Sequence, residues 1–192
     1  MNDLITKKTN NAWQKPAHPF FTVITPVYNR LETIGRTIES VKKQTYGNFE
    51  YIVVDDGSVQ AQSIDDLICQ FMASVQFPVM YLKKKNGGVH TARNLAYEYA
   101  RGEMIVCIDS DDELLPRCLE IFRKAWQTII KRKMFFSLSE GEQIGCRSTK
   151  ILKENRFPEP EGVKFVGENL LWVRLENKYL SWGLNEPVCI YY

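Results

Sequence analysis

Met104-Ile105-Val106-Cys107-Ile108-Asp109-Ser110-Asp111-Asp112 sets the reading of this chain. Its first five residues are apolar and rich in β-branched side chains, the length of one buried strand. The run passes without a spacer into three carboxylates within four residues. Carboxylates so close repel one another, and a plain turn has no need of them. A divalent cation removes that cost: hard oxygen ligands suit Mg2+ or Mn2+, usually shared with substrate phosphates. The plain alternative is a polar turn or a helix N-cap ahead of Pro116. Because the run follows a buried strand directly, the metal reading is preferred.

The pattern upstream repeats the same theme. Phe20 to Thr25 is a short β-branched run stopped by Pro26, and Phe49 to Val54 is another, ending in Asp55-Asp56-Gly57-Ser58. Val79 to Leu82 predicts a third strand. Between them, Ile34, Ile38, Val41 and Thr45 predict an amphipathic helix over 31–44. A further helix is expected near 62–74, and Asn86-Gly87-Gly88 is a turn signal. Val89, Ala92, Ala96 and Ala100 mark the face of the next helix. Pro116 suits the first turn of a helix through about 130, with Leu119, Phe122, Trp126 and Ile129 inward. Strands that are continuous apolar runs, alternating with helices, predict an α/β fold with a mostly parallel, Rossmann-like sheet and helices on both faces. Ligands of such sheets sit beyond the carboxyl ends of the strands. Those ends carry Pro26-Val27-Tyr28-Asn29, Asp55 to Ser58 and Asp109 to Asp112, so the polar chemistry converges on one edge.

Beyond 131 the signal weakens. Leu170, Leu171, Val173 and Leu175 predict a short helix starting near Gly167-Glu168, and residues 188–192 a last strand. Residues 1–19 are expected to be a surface leader, partly disordered, with no stretch fit for a signal peptide.

The 192 residues fit one domain. A net charge of +2 is too mild to argue for nucleic acid, and allows only weak attraction to an anionic surface. No run of about 18 apolar residues occurs, so no membrane-spanning helix is expected. The five cysteines are odd in number and lack C-x-x-C spacing, which suggests neither a disulfide framework nor a zinc site. Reduced thiols point to the cytoplasm.

Several side chains carry two readings each. A carboxylate at Asp55 or Asp56 could accept from a base N–H or a ribose hydroxyl, with Gly57 letting the backbone turn close by; the plain reading is a capped turn. Arg93 lies on or beside an apolar helix face and needs an anionic partner: a phosphate, Asp55/Asp56, or another internal carboxylate. Tyr28 could stack on a base or bond a phosphate, or be a core lid. His90 reads as a surface or supporting residue, since His18 is far away. Glu168 is the candidate general base, although a helix start also favours a carboxylate through the dipole. Trp172 and Trp182 could flank a sugar, with core packing the safer reading. A receiver domain is disfavoured because its Asp-Asp pair follows the first strand, and here it follows the second.

With these residues in hand, the chain resembles the inverting GT-A glycosyltransferases of family 2. The matching segments are Val23 to Arg30, Gln44-Thr45, Val53 to Ser58, Asn86-Gly87-Gly88 with Ala92-Arg93-Asn94, and Ile108 to Glu113 with Pro116. Their order agrees over 20–120. Later, only Gly167-Glu168-Asn169 and Asn185-Glu186-Pro187 with Tyr191-Tyr192 match.

The resemblance implies a GT-A domain over 20–192, with a nucleotide-sugar-binding half at 20–120 and a shortened acceptor-side half at 121–192. It implies that Pro26 and Tyr28 line the nucleotide pocket, that Asp56 reads the base, by default uracil, and that Arg93 contacts the nucleotide or its phosphates. Asp109, Ser110 and Asp111 form the D-x-D element, with Asp111 the direct ligand of Mg2+ or Mn2+ and Asp112 a helper. A sugar or glycolipid acceptor, UDP-sugar donor, inversion and polysaccharide or glycoconjugate synthesis follow from the same source. Two departures matter: the family's Glu-Asp pair reads Glu168-Asn169, where an amide cannot take a proton, and the stretch between the D-x-D element and Glu168 is short for the family. A catalytically impaired or truncated nucleotide-sugar-binding domain acting as a partner subunit is therefore the rival. A nucleotidyltransferase is disfavoured, since Pro26-Val27-Tyr28-Asn29 is unlike its glycine-rich, basic signature.

Overall fold

Strands and helices alternate as the apolar runs require in a computed structural model that describes residues 5–15, 18–129, 134–136, 145–167, 169–176, 178, 180–182 and 187–192. In chain order the elements are β1 (Thr6–Thr9), β2 (Phe21–Val27), α1 (Leu31–Lys42), β3 (Phe49–Asp55), α2 (Ala61–Ser74), β4 (Val79–Lys83), α3 (Val89–Tyr99) and β5 (Met104–Cys107). There follow β6 (Glu113–Leu114), α4 (Cys118–Ile129), β7 (Met134–Phe136), β8 (Cys146–Ser148), α5 (Thr149–Glu154), α6 (Asn169–Glu176), β9 (Leu180–Trp182) and β10 (Cys189–Ile190).

The main sheet runs β1-β4-β3-β2-β5-β8. Its four central strands are parallel, and β1 and β8 add antiparallel edges. Two smaller pairs complete the described strands: β10 lies antiparallel to β6, and β7 parallel to β9.

Period-2 alternation along the parallel strands divides the core into two layers. Val23, Tyr51, Val53, Tyr81 and Val106 meet Ile34, Ile38 and Val41 of α1, Ile64 and Ile68 of α2, and Leu119 and Phe122 of α4. Ile24, Ile52, Val54, Met80, Leu82 and Ile105 point the other way, onto Ala92, Leu95 and Ala96 of α3, Leu152 of α5, and Leu171 and Leu175 of α6. All of these residues are buried, which is why the strands read as continuous apolar runs.

Three features differ from the sequence expectation. Thr6–Thr9, expected in a surface leader, is a strand whose register runs from Thr6↔Lys83 to Thr9↔Met80. Its outer position leaves no apolar alternation to read; polar edge strands are common. Asn10 extends the attachment, its side-chain carbonyl accepting from the Val79 and Trp13 amides at 3.0 and 3.1 Å. Second, Pro26 does not stop β2 but lies within it, paired with Val54. The neighbouring β5 pairs only as far as Cys107 opposite Ile24, so the missing Pro26 N–H falls where that neighbour has ended. Third, α6 turns Leu171 and Leu175 inward while Leu170 and Val173 face outward. Glu168, Asn185 and Glu186, named above for the family resemblance, lie outside the described residues.

Candidate functional site

Three loops leave the carboxyl ends of β2, β3 and β5 and are tied to one another. After β2, Asn29 adopts φ +54°, a left-handed conformation that Asn tolerates better than most residues. Its amide donates to the Ser58 hydroxyl at 3.0 Å, and its side-chain carbonyl accepts from the Val59 amide at 2.8 Å. Asp55, fully buried, accepts from the Ser58 amide at 2.9 Å and from the Tyr81 hydroxyl at 3.3 Å. Burial, helped by the Asp55 carboxylate, pushes the Tyr81 phenol well up, so Tyr81 remains an O–H donor.

Asp56 is saturated. Its Oδ1 accepts from Lys84 Nζ at 2.6 Å and the Gly87 amide at 3.0 Å; its Oδ2 accepts from the Gly88 amide at 2.7 Å and Asn86 Nδ2 at 3.0 Å. The Asp56–Lys84 pair is nearly enclosed, with side chains 3% and 12% exposed. Gly57 and Gly88 are required here. Gly57 has φ +78°, and a Cβ on it would meet Asn86 N at 2.6 Å. Gly88 has φ +98°, and a Cβ on it would collide with the Lys164 carbonyl oxygen.

The acidic loop after β5 is gripped by a polar stripe on α1. Thr33 Oγ1 donates to the Ser110 carbonyl at 2.8 Å, Arg36 Nη2 to that of Asp111 at 2.6 Å, and Thr37 Oγ1 to that of Asp112 at 2.8 Å. Positions 33, 36 and 37 share one helix face, so three consecutive carbonyls meet three side chains of one stripe. Ser40 continues it, accepting from the Leu114 amide at 3.0 Å. Gln44 then donates to the Leu115 carbonyl at 2.9 Å and accepts from the Leu119 amide at 3.1 Å.

With the backbone so fixed, Asp109 and Asp111 present their side chains. Arg93, buried on α3, donates from Nη2 to Asp109 Oδ1 at 2.7 Å. Arg30 reaches Asp111 Oδ2 at 3.6 Å. Asp112 is buried and accepts from the Tyr192 amide at 3.2 Å. Among the described residues no three His, Cys, Asp or Glu side chains converge as a metal cage. Two partly exposed carboxylates flanked by guanidinium groups fit a different arrangement, in which a hard cation takes one or two protein oxygens and completes its shell with ligand phosphates and water.

A sequence profile described as Glycosyl transferase family 2 matches residues 22–129, more than half of the chain. The chain belongs to glycosyl transferase family 2. It is 34% identical to a putative teichuronic acid biosynthesis glycosyltransferase, TuaG, of Bacillus subtilis, over 73% of this chain and 54% of that protein. It is 31% identical to an uncharacterised glycosyltransferase of Rickettsia bellii over 87% of its own length, but spans only 28% of that relative. Among solved structures, the mannosyltransferase PcManGT of Pyrobaculum calidifontis, in complex with GDP-Man and Mn2+, superposes with a TM-score of 0.74 at 17% identity, over 93% of this chain and 60% of that one. S. aureus TarS 1–349 with UDP-GlcNAc gives 0.71 at 20%, over 88% and 57%. The fold is therefore the GT-A fold of glycosyltransferases.

Within this family 2 chain, the residues named from the sequence fall as follows. Pro26, Tyr28, Asp55, Asp56, Arg93, Asp109, Ser110 and Asp111 all lie at or beside one sheet edge. Tyr28 is half-exposed rather than a core lid. Asp55 is the turn cap of the plain reading, and Asp56 binds the Asn86–Gly88 loop. Arg93 has found Asp109, an internal carboxylate other than Asp55 or Asp56. Ser110 is buried, its carbonyl taken by Thr33.

His90 is not at the surface: it is 1% exposed, and burial holds its imidazole pKa below the usual histidine value. Trp172 packs on Phe157 and beneath the Arg147 guanidinium, as core packing predicts; the Trp182 side chain lies outside the described residues. The α1 stripe, Arg30 and Lys84 were not singled out from the sequence. The i, i+3, i+4, i+7 spacing of Thr33, Arg36, Thr37 and Ser40 beside the apolar face was the available signal.

Proposed function

We propose that this chain is a nucleotide-sugar-dependent transferase domain that moves a sugar, by default from a UDP-sugar, to an acceptor hydroxyl with inversion, in polysaccharide or glycoconjugate synthesis. The carrying observation is the delivery of Asp109 and Asp111 by β5 to an edge where Arg93 and Arg30 already face them. TuaG's name supports the polysaccharide setting, and the nucleotide-sugar complexes of TarS and PcManGT support the donor class. The odd number of cysteines and their lack of C-x-x-C spacing fit a cytoplasmic setting. No helix among the described residues is long and apolar enough to cross a membrane.

Residues 20–120 would hold the donor and 121–192 the acceptor. Asp111, with Asp109, would bind Mg2+ or Mn2+, which supplies Lewis-acid charge neutralisation at the departing diphosphate. Arg93 and Arg30, released from the carboxylates, would donate to phosphate oxygens. Tyr28 and Pro26 would line the nucleotide pocket. Asp56 would act on the base through the Asn86–Gly88 loop it fixes, or directly if Lys84 and the loop give up an oxygen. Glu168 would take the proton from the acceptor hydroxyl as its oxygen attacks the anomeric carbon.

Calorimetric titration with UDP, first with manganese and then with EDTA, tests the donor site. Metal-dependent binding is expected; failure of UDP, GDP and dTDP alike on folded protein would overturn it. The second reading, donor binding without transfer as a partner subunit, is favoured by Asn169 at the first position of α6. Binding without turnover on an acceptor panel would establish that reading instead.

A further inference from the structure

The acidic loop is held on its other side by a second element. Arg36, whose Nη2 bonds the Asp111 carbonyl, lays its guanidinium carbon 3.7 Å from the centre of the Tyr192 ring. Tyr192 in turn donates its backbone N–H to Asp112 Oδ1 at 3.2 Å and its hydroxyl to Glu113 Oε1 at 2.9 Å. The strand pair beneath fixes this geometry: Cys189 lies opposite Leu114 and Ile190 opposite Glu113, and the Leu115 amide donates to the Val188 carbonyl at 2.9 Å. Asp112 is therefore turned away from the partly exposed pair Asp109 and Asp111 and into this contact.

We propose that Arg36, clamped by Tyr192, is the positioning residue of the D-x-D carboxylates, and that residues 187–192 belong to the donor site through it. The inference rests on the donor-site reading above. Asp111 reaches its ligand through one Cα, so the direction of its carboxylate depends on the peptide plane that carries its carbonyl. Arg36 fixes that plane with a planar, charged donor, which gives a shorter and more directional bond than a neutral one. Alone, a guanidinium on a flexible stem would sample several poses. The aromatic face of Tyr192 leaves it one, through stacking and cation–π attraction. Thr33 and Thr37 fix the peptides on either side, and neither can substitute for Arg36 because each already holds its own carbonyl. Groups that orient metal ligands in this indirect way typically contribute about 10–100-fold in affinity or activity.

The test compares wild-type protein with Arg36→Ala, Arg36→Lys, Tyr192→Ala and Tyr192→Phe in two measurements. Hydrogen exchange of peptides covering 108–114 reads the loop without any ligand. Calorimetry with UDP, in manganese and in EDTA, reads the site. Arg36→Ala and Tyr192→Ala should each speed exchange at 109–112. Each should also weaken manganese-dependent UDP binding by about tenfold or more, while binding in EDTA changes little. Tyr192→Phe keeps the ring and should recover most of what Tyr192→Ala loses; Arg36→Lys, which cannot stack as a plane, should recover little. The Ala double variant should be no worse than the worse single.

Unchanged exchange and unchanged metal-dependent binding in Arg36→Ala would overturn the inference alone. An equal loss in manganese and EDTA would do so too, since it marks general destabilisation. Wild-type protein that binds no nucleotide with manganese would overturn the donor-site reading and this inference with it.

Discussion

Arg93 and Asp109 meet at 2.7 Å with opposite exposures: the arginine side chain is 5% exposed and the aspartate side chain 51%. The cation is fixed by the interior of α3, while its counter-charge reaches solvent. A ligand arriving from solvent can compete for the carboxylate but cannot displace the arginine. The two residues should therefore respond differently to substitution.

Arg93→Lys is expected to weaken UDP binding by about tenfold both with manganese and with EDTA, because lysine lacks the planar fork that bonds two phosphate oxygens. Asp111→Asn should abolish only the metal-dependent share and turnover with it. Calorimetry in the two buffers separates them; full metal-dependent activity in Asp111→Asn would remove Asp111 as the ligand.

Asp56→Ala leaves Lys84 nearly buried without its carboxylate and the Gly87 and Gly88 amides without that acceptor, while Asn86 Nδ2 keeps the backbone carbonyl of residue 56. A loss of about 3 kcal/mol or more is expected in urea unfolding, as for a broken buried pair. A loss below 1 kcal/mol would mean that the Asn86–Gly88 loop finds other partners at little cost.

Stability should fall on acidification because of His90. Its folded pKa lies below its unfolded value of about 6.5, so the unfolded chain binds the proton first. Stability is then full above the unfolded value and declines as pH drops through it towards the folded value. Asp56, Glu159 and Lys84 are the charged groups acting on the ring, and burial outweighs the two carboxylates. His90→Gln should flatten the change in Tm between pH 7.5 and 5.5, roughly a unit either side of that value; an unaltered slope would assign it to other groups.

Gly88→Ala forces a side chain onto φ +98° and against the Lys164 carbonyl. Strain of about 1–3 kcal/mol is expected, relieved by lifting residues 159–165 from α3. Faster tryptic cleavage after Lys164 would report this; unchanged cleavage and Tm would show that the loop can shift at no cost.

Glu168→Gln should cut turnover while leaving UDP affinity intact. An undiminished rate would point to a different base.

The central fold was legible because parallel strands buried on both faces must be apolar throughout, as Val23-Ile24 and Tyr51 to Val54 are. The edges were not. Thr6–Thr9 carries no periodic signal, since all four of its own residues are polar. The edge that carries the candidate site was legible from Asp109 and Asp111 following a buried strand, but the contacts these residues make were not. That Arg93 meets Asp109, and that Asp56 gathers four donors, depends on how segments 16 to 32 residues apart are stacked, which local pattern does not encode. Of the two readings of His90, surface or supporting, burial removes the surface one, which its helix position did not reveal. Thr33, Arg36 and Thr37 flank the apolar face of α1, and their role exists only because the acidic loop lies along them.

β1 sits three strands away from β2, at the far side of the sheet from the acidic loop. Lys8 and Lys83 both reach Asp65 of α2 there, and β1 covers the hydrogen-bonding edge of β4. Trimming the chain before residue 11 would bare that edge, a template on which one molecule could pair with the next. Loss of these few polar residues would then show itself as self-association at high protein concentration, with the chemistry of each remaining monomer intact.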